Sequence, residues 1–306
     1  MQDFKNYKPG NQLDVDYLKL AENIMMNGSR YEGRNGQVRS IFDATIKHSM
    51  FNEFPLLTTK QMSLKNIAVE LKWFLKGDTN IDFLIQNKCY IWVGDALKKY
   101  NRLNPENPME FDTFLDKCKT DKAFVKVWGE LGPVYGKQWR DWNGIDQIER
   151  AIHILKTDPH NRRNIVSAWN VGELDDMTLP PCHMMFQFNV LKGFFKPILN
   201  MKWVQRSVDL PLGLPYNIAS YGLLLSLIAH KVDMMPGALI GSLNDVHIYE
   251  NQVNKMSDQL GRVPLPLPKL DLSGVNPDAA IEGFDLDAIK LVEYCHHPKI
   301  DFPLSN

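Results

Sequence analysis

The chain has 306 residues, 44% of them hydrophobic and 23% charged, ordinary proportions for a protein that buries a real core. Lys and Arg number 35 against 36 for Asp and Glu, so the net charge is -1 and any anion site must be a local cluster. This excludes a disordered, collagen-like or disulfide-scaffold chain, and it leaves nucleic acid and anionic membrane without a broad electrostatic footprint.

Taken in order, residues 15–27 place apolar side chains at helical spacing up to Gly28, predicting a first helix. Residues 36–50 alternate as a strand, and 63–76 (LKNIAVELKWFL within it) read as a second helix closed by Gly77. Residues 96–128 are polar, with Asn104-Pro105 and Asn107-Pro108, and read as an inserted surface excursion. From 163 the pattern favours strands: NIVSAWNV, MMFQFNVL and FFKPILNMKWV. A helix from Tyr216 to His230 is hydrophobic nearly all round and is expected to be buried. Strand ALIGSLNDVHIY, helix ENQVNKMSDQL and a tail of strand and loop complete the chain. Helices interleaved with strands, without regular βαβ spacing, predict a single α+β domain over residues 1–306 around a large sheet.

The four cysteines, Cys89, Cys118, Cys182 and Cys295, have neither C-x-x-C spacing nor a metal-type histidine pairing, so no metal is expected. The start lacks a signal-peptide layout, and the apolar stretch near Ile218–Ala229 is short of a membrane span. A cytoplasmic protein in a reducing compartment is the expectation.

The sharpest local feature is Leu179-Pro180-Pro181-Cys182-His183. Two prolines hold the approach extended and remove two donors, and a thiol followed by imidazole is a candidate nucleophile whose thiolate positive charge would favour. The alternative is a buried, inert cysteine. Arg162-Arg163, Gln205-Arg206-Ser207 and Arg34 in its Gly-flanked loop supply guanidinium forks suited to a phosphate, unless they are simply solvated. Asn217 offers donor and acceptor side by side for a heterocycle edge, or caps the apolar helix. His247 and Tyr249 share a strand face and could bind a sugar hydroxyl, or face water. Glu70, amid apolar neighbours, is a carboxylate of raised pKa or a surface position.

Six ordered blocks then resemble the thymidylate synthase family, which includes the pyrimidine-nucleotide hydroxymethylases: FPLLTTK (54–60), ELKWFLKGDTNI (70–81), GPVYGKQWR (132–140), RRNIVSAWNVGELDDMTLPPCH (162–183), QRSVDLPLGLPYNIASY (205–221) and DVHIY (245–249). The resemblance covers roughly 20–270. It implies an α+β homodimer packed through a large twisted sheet, with dUMP and 5,10-methylenetetrahydrofolate as ligands. Cys182 would attack C6 of the pyrimidine, with His183 in the catalytic group. Arg34, Arg206 and Ser207, beside Gln205, would hold the 5′-phosphate with Arg162 and Arg163 of the partner chain. Asn217 would read the uracil edge, where dCMP-specific relatives carry Asp, and His247 with Tyr249 would bind the 3′-hydroxyl. Glu70 would shuttle protons at O4, and Tyr135 would assist loss of the C5 proton. Asp209 would contact the pterin, with Trp92 and Gly213 on the same side.

Departures from the family pattern cluster on the folate side. Val93-Gly94-Asp95 replaces the usual D-E-W, Leu243-Asn244-Asp245 the usual G-G-D, and Phe302-Pro303-Leu304-Ser305-Asn306 the apolar tail that closes over the ligands. The Arg34 loop is also about one residue short. Because hydride transfer needs water excluded, these changes favour water as acceptor, hence 5-hydroxymethyl-dUMP, a product of some bacteriophage enzymes made in host cytoplasm. Ordinary dTMP synthesis is the alternative, and a catalytically silent nucleotide or RNA binder is the third.

Overall fold

Strand pairing organises the molecule, which is seen in a computed structural model describing residues 10–33 and 35–305. Helix α1 (Gln12–Asn27) precedes β1 (Ser29–Gly33) and β2 (Gly36–Ser49). Helices α2 (Leu64–Leu75), α3 (Asp82–Gln86), α4 (Val93–Leu103), α5 (Phe111–Thr120), α6 (Lys122–Trp128), α7 (Tyr135–Arg140) and α8 (Gln147–Thr157) follow. Next come β3 (Ile165–Ser167), β4 (His183–Leu191), β5 (Ile198–Asp209), α9 (Gly213–Lys231), β6 (Met235–Tyr249) and α10 (Val253–Leu260). Two short strands close the described chain, β7 (Lys269–Asp271) and β8 (Lys290–Val292), which pair only with each other.

The large sheet runs β1-β2-β6-β5-β4-β3. Its β5–β6 pair is parallel and its other pairs are antiparallel. A parallel pair needs a long crossover, and α9 supplies it, packing back onto β5 and β6. The C-terminal ends of both strands therefore lie together, Ser207 beside Asp245 and Asp209 beside His247, with the start of α9 next to them. That juncture carries most of the site.

Helix α9 turns Asn217, Ser220 and Tyr221 toward one small space, and from Tyr221 to Ala229 it is buried on all sides. Close packing depends on missing side chains: a Cβ on Gly222 would lie 2.4 Å from Pro55, and one on Gly241 would lie 2.4 Å from the Trp203 ring. At the other end of the chain, Asn11 caps α1 by accepting from the Asp14 N–H. Buried Asp14 accepts from the backbone N–H and hydroxyl groups of Thr58 and Thr59. This fixes the turn that delivers Lys60.

Several predicted elements change shape. Helix α9 begins at Gly213 rather than Tyr216, because Asp209 Oδ1 accepts the Leu212 N–H and starts the turn early (3.0 Å). The strand expected across NIVSAWNV stops at Ser167, and Asn170 turns the chain into a 3-10 segment, Val171–Asp176. The 96–128 segment is not a polar excursion: α4, α5 and α6 bury Tyr100, Phe114 and Phe124 together, ring centres 5.5–5.7 Å apart. Its polar residues are the outer faces of amphipathic helices.

Candidate active site

Cys182 enters β4 from the two prolines, beside a register irregularity at His183. Its carbonyl accepts the Arg206 N–H at 2.8 Å. The Arg206 guanidinium donates through Nε to Pro181 O at 2.9 Å and through Nη2 to Pro180 O at 3.0 Å. Its centre stands 5.3 Å from the Trp169 ring. Arginine thus clamps the turn that the prolines stiffen. From the other side the Cys182 N–H donates to Tyr135 Oη at 2.7 Å.

That tyrosine is positioned by a relay of rings. Trp203 on β5 stacks on Tyr221 of α9 with centres 5.2 Å apart, and Tyr221 Oη is hydrogen-bonded to His183 Nδ1 at 2.8 Å. His183 in turn stacks on Tyr135 at 4.1 Å. Burial pulls the His183 pKa down to about 3, so the imidazole is neutral at physiological pH. Positive charge to favour the Cys182 thiolate therefore does not come from His183, whereas Arg206 is a permanent cation lining the same cavity.

A cavity of about 460 Å³ opens at Cys182, lined also by Tyr31, Arg206, Ser207, Asp245, His247 and Tyr249. Asp245 organises its far wall. Its Oδ1 accepts from Ser40 Oγ at 2.8 Å and is hydrogen-bonded to His247 Nδ1 at 3.0 Å, while Oδ2 accepts from Tyr31 Oη at 2.9 Å. These donors hold the Asp245 pKa below its usual value although desolvation opposes them.

His183, the next residue, borders a second space of about 10 Å³, together with Glu70, Asn217, Ser220 and Tyr221 among others. That is room for about one water among several polar partners. Burial pushes Glu70 up to about 7, partly offset by the Trp92 Nε1–H donated to its Oε1 at 2.7 Å. Trp92 also packs against Trp73, Phe74 and Tyr135, so the position beside the missing second tryptophan remains walled by aromatics.

Asp209 ends β5. Desolvation raises its pKa, countered by the Leu212 N–H, the Gln252 amide, His247 and Lys60. Lys60 is buried, donates to Pro211 O, and has its pKa lowered to about 8 by desolvation. Gly213 stands beside Asp209 and Asn217: a Cβ there would make ordinary van der Waals contact with them, at 3.8 Å and 3.9 Å. The tail is seated nearby, with Phe302 and Ser305 buried and the Lys60 ammonium 5.0 Å from the Phe302 ring.

Not every predicted residue joins this site. Gln205 is buried within the sheet core, accepting from Trp203 Nε1 and donating to Ser207 O. Arg162 and Arg163 are exposed in the loop before β3, and Arg162 lines a different hollow, with Lys47, Gln187 and Lys202 on the sheet face. Arg34 lies outside the described residues, as does Asn306. Conversely Tyr31, Ser40, Lys60, Trp169, Tyr221, Asp245 and Gln252 take part without having been singled out as site residues. Lys60 and Asp245 sit within quoted motifs, whereas Tyr31 and Gln252 carry no sequence signal.

The family model for thymidylate synthase matches residues 15–306. The thymidylate synthase of Mycoplasma pneumoniae is 42% identical over 288 residues, covering 93% of this chain and 97% of the relative. That of Mycoplasma genitalium is 42% identical over 285 residues, with the same coverage, and that of Mesoplasma florum 40% over 285 residues. The hydroxymethylated product favoured from the sequence does not stand against relatives all named thymidylate synthase at this identity and coverage. Its physical premise also weakens, because the altered tail is seated and Trp92 still bonds Glu70. Thymidylate synthases are one-carbon transferases that use methylenetetrahydrofolate as co-substrate, and this chain, an α+β domain with a large mixed sheet flanked by helices, belongs to the thymidylate synthase family.

Proposed function

We propose that this chain methylates dUMP at C5 to give dTMP, with release of dihydrofolate. The observation that carries the reading is that consecutive residues serve two spaces: Cys182 shares the large cavity with Arg206, Ser207 and His247, and the adjacent His183 borders the small space that holds Glu70 and Asn217. The first suits a phosphorylated sugar and the second suits the edge of a pyrimidine.

The Cys182 thiolate adds to C6, and the charge that develops at O4 is met by Glu70 through a water of the small cavity. A carboxyl near neutrality can both give and take that proton. Asn217 reads the O4/N3 edge of uracil. Arg206 and Ser207 hold the 5′-phosphate with Arg34, and His247 and Tyr249 bind the 3′-hydroxyl, the Asp245 contact fixing the His247 ring. Tyr135, kept a neutral phenol by burial, relays the C5 proton to water. Asp209, Gly213 and Trp92 form the folate side. Methylenetetrahydrofolate supplies the one-carbon unit and then the hydride. The hydride adds to the exocyclic methylene carbon on C5, that double bond shifts to C5=C6, and Cys182 leaves C6 as thiolate, restoring the ring and leaving a methyl group on C5.

The active form is a homodimer built on the outer face of the sheet. Arg162 and Arg163, remote from their own chain's cavity, would cross to the partner's phosphate site. The four thiols, none in a disulfide, suit a reducing cytoplasm. Among the described residues no helix is long and apolar enough to cross a membrane. The bacterial relatives give the phage expectation no support.

The deciding experiment incubates the protein with dUMP and methylenetetrahydrofolate, reading nucleotide mass and folate oxidation state. dTMP with equimolar dihydrofolate is expected. Hydroxymethyl-dUMP with tetrahydrofolate, or no product, overturns the reading.

A further inference from the structure

The seated tail is tied to the site by one buried amide. Gln252 ends the 3-10 turn Glu250–Gln252 between β6 and α10 and is fully buried. Its Oε1 accepts the Tyr249 N–H at 3.1 Å. Its Nε2 donates to Asp209 Oδ2 at 3.2 Å and to Pro303 O at 3.1 Å. Donor capacity and acceptor are all in use, and the partners come from three places: the end of β6, the end of β5 and the C-terminal tail. The rest of the tail is held by similar means. Ser305 Oγ donates to Asn251 Oδ1 at 3.1 Å, Asn35 Nδ2 donates to Ser305 O at 3.2 Å, and Lys255 donates to Asp301 O. Backbone carbonyls, together with the buried Phe302 ring, anchor this segment.

We infer that Gln252 is a positioning residue that couples seating of the tail to the orientation of the Asp209 carboxylate. A buried amide hydrogen without an acceptor is costly. When Pro303 departs, Gln252 must turn to find another partner and releases Asp209; when Asp209 is held, the amide is already aimed at Pro303. Coupling of this kind is reciprocal, so a ligand that fixes Asp209 also closes the tail. The contacts stand by themselves, while the kinetic consequence rests on the thymidylate synthase reading.

Two variants separate the possibilities. Gln252→Met keeps the approximate volume and removes all three hydrogen bonds. Gln252→Glu keeps the acceptor for Tyr249 but, ionised, has no donor for Asp209 or Pro303. Hydrogen exchange of the Phe302, Leu304 and Ser305 amides in the ligand-free protein reads tail seating without reference to activity. Both variants should exchange there about tenfold faster, roughly the worth of one hydrogen bond, with α9 amides unchanged. Loss of protection in α9 would mark a folding defect in that variant, and the other then decides. In turnover, the KM for methylenetetrahydrofolate should rise about tenfold, the KM for dUMP should hold, and hydroxymethyl-dUMP should appear beside dTMP. In a chain ending at Asp301, Gln252→Met should add nothing further, whereas a merely structural glutamine would cost the same with or without the tail. Unchanged tail exchange in both variants overturns the inference, and so does full additivity with the truncation. If the parent chain made no dTMP, the functional reading would fail while the exchange arm still decided the role of Gln252 in seating the tail.

Discussion

Glu70→Gln tests the small space beside His183 through a quantity independent of catalysis. Desolvation raises the Glu70 pKa from an ordinary 4.5 to about 7. The folded protein therefore holds this proton more tightly than the unfolded chain. Its contribution to stability is whole below about pH 4.5 and is lost as pH rises through about 7. At about 1.36 kcal/mol per pH unit, the gap between those values is worth roughly 3 kcal/mol. Glutamine is neutral at every pH and can still accept from Trp92. The variant should match its parent at about pH 4.5 and exceed it by roughly 3 kcal/mol at about pH 8.

The assay is urea unfolding of both proteins across that range, read as the difference between them. Taking the difference removes His183, whose sign is opposite: with its folded pKa lowered to about 3, its contribution is present above 6.5 and fades as pH falls towards 3. Trp92→Phe in the same series should drive the Glu70 pKa higher still, since the indole N–H favours the ionised form. Turnover of Glu70→Gln should meanwhile drop by about 10²–10⁴-fold, the usual worth of a positioned acid–base group. A stability difference that stays flat with pH, to within about 1 kcal/mol, would refute the idea that burial tunes this carboxyl.

Two other residues make separate demands. Asn217→Asp should move the kcat/KM preference from dUMP towards dCMP by about tenfold or more, because an acceptor then faces the cytosine amino group; an unchanged ratio in competition kinetics would remove Asn217 from edge reading. Mixing Arg162→Ala chains with Cys182→Ala chains should recover about one quarter of parental activity. Random pairing makes half the dimers hybrid, and each hybrid has one complete site. Recovery near zero, with subunit exchange verified by mass, would mean that the arginine serves its own chain.

What could be read without coordinates was whatever short-range pattern encodes. The all-round hydrophobicity of 216–230 marked α9 as buried because apolar residues fall on every side of it. Local residue pattern and family resemblance singled out Cys182, Arg206, Ser207, His247 and Tyr249 as candidates, and these five line one cavity. The 96–128 segment misled because composition was read where periodicity mattered: Tyr100, Phe114 and Phe124 are a minority of its residues, yet they decide how it packs.

The product preference failed for a related reason. The tail was weighed by its side chains, and Ser305 looked too polar to close over a site. Its seating also draws on carbonyl oxygens that every residue possesses, among them Pro303 O and Ser305 O. Their donors, Gln252 and Asn35, stand 51 and 270 residues away. No pattern in the tail itself can announce such donors. The same holds for Asp245, whose partners Tyr31 and Ser40 lie more than 200 residues earlier in the chain. A substitution in a closing segment therefore says little about whether it closes until the groups that receive its backbone are known. In this protein those groups include Gln252, which also holds Asp209.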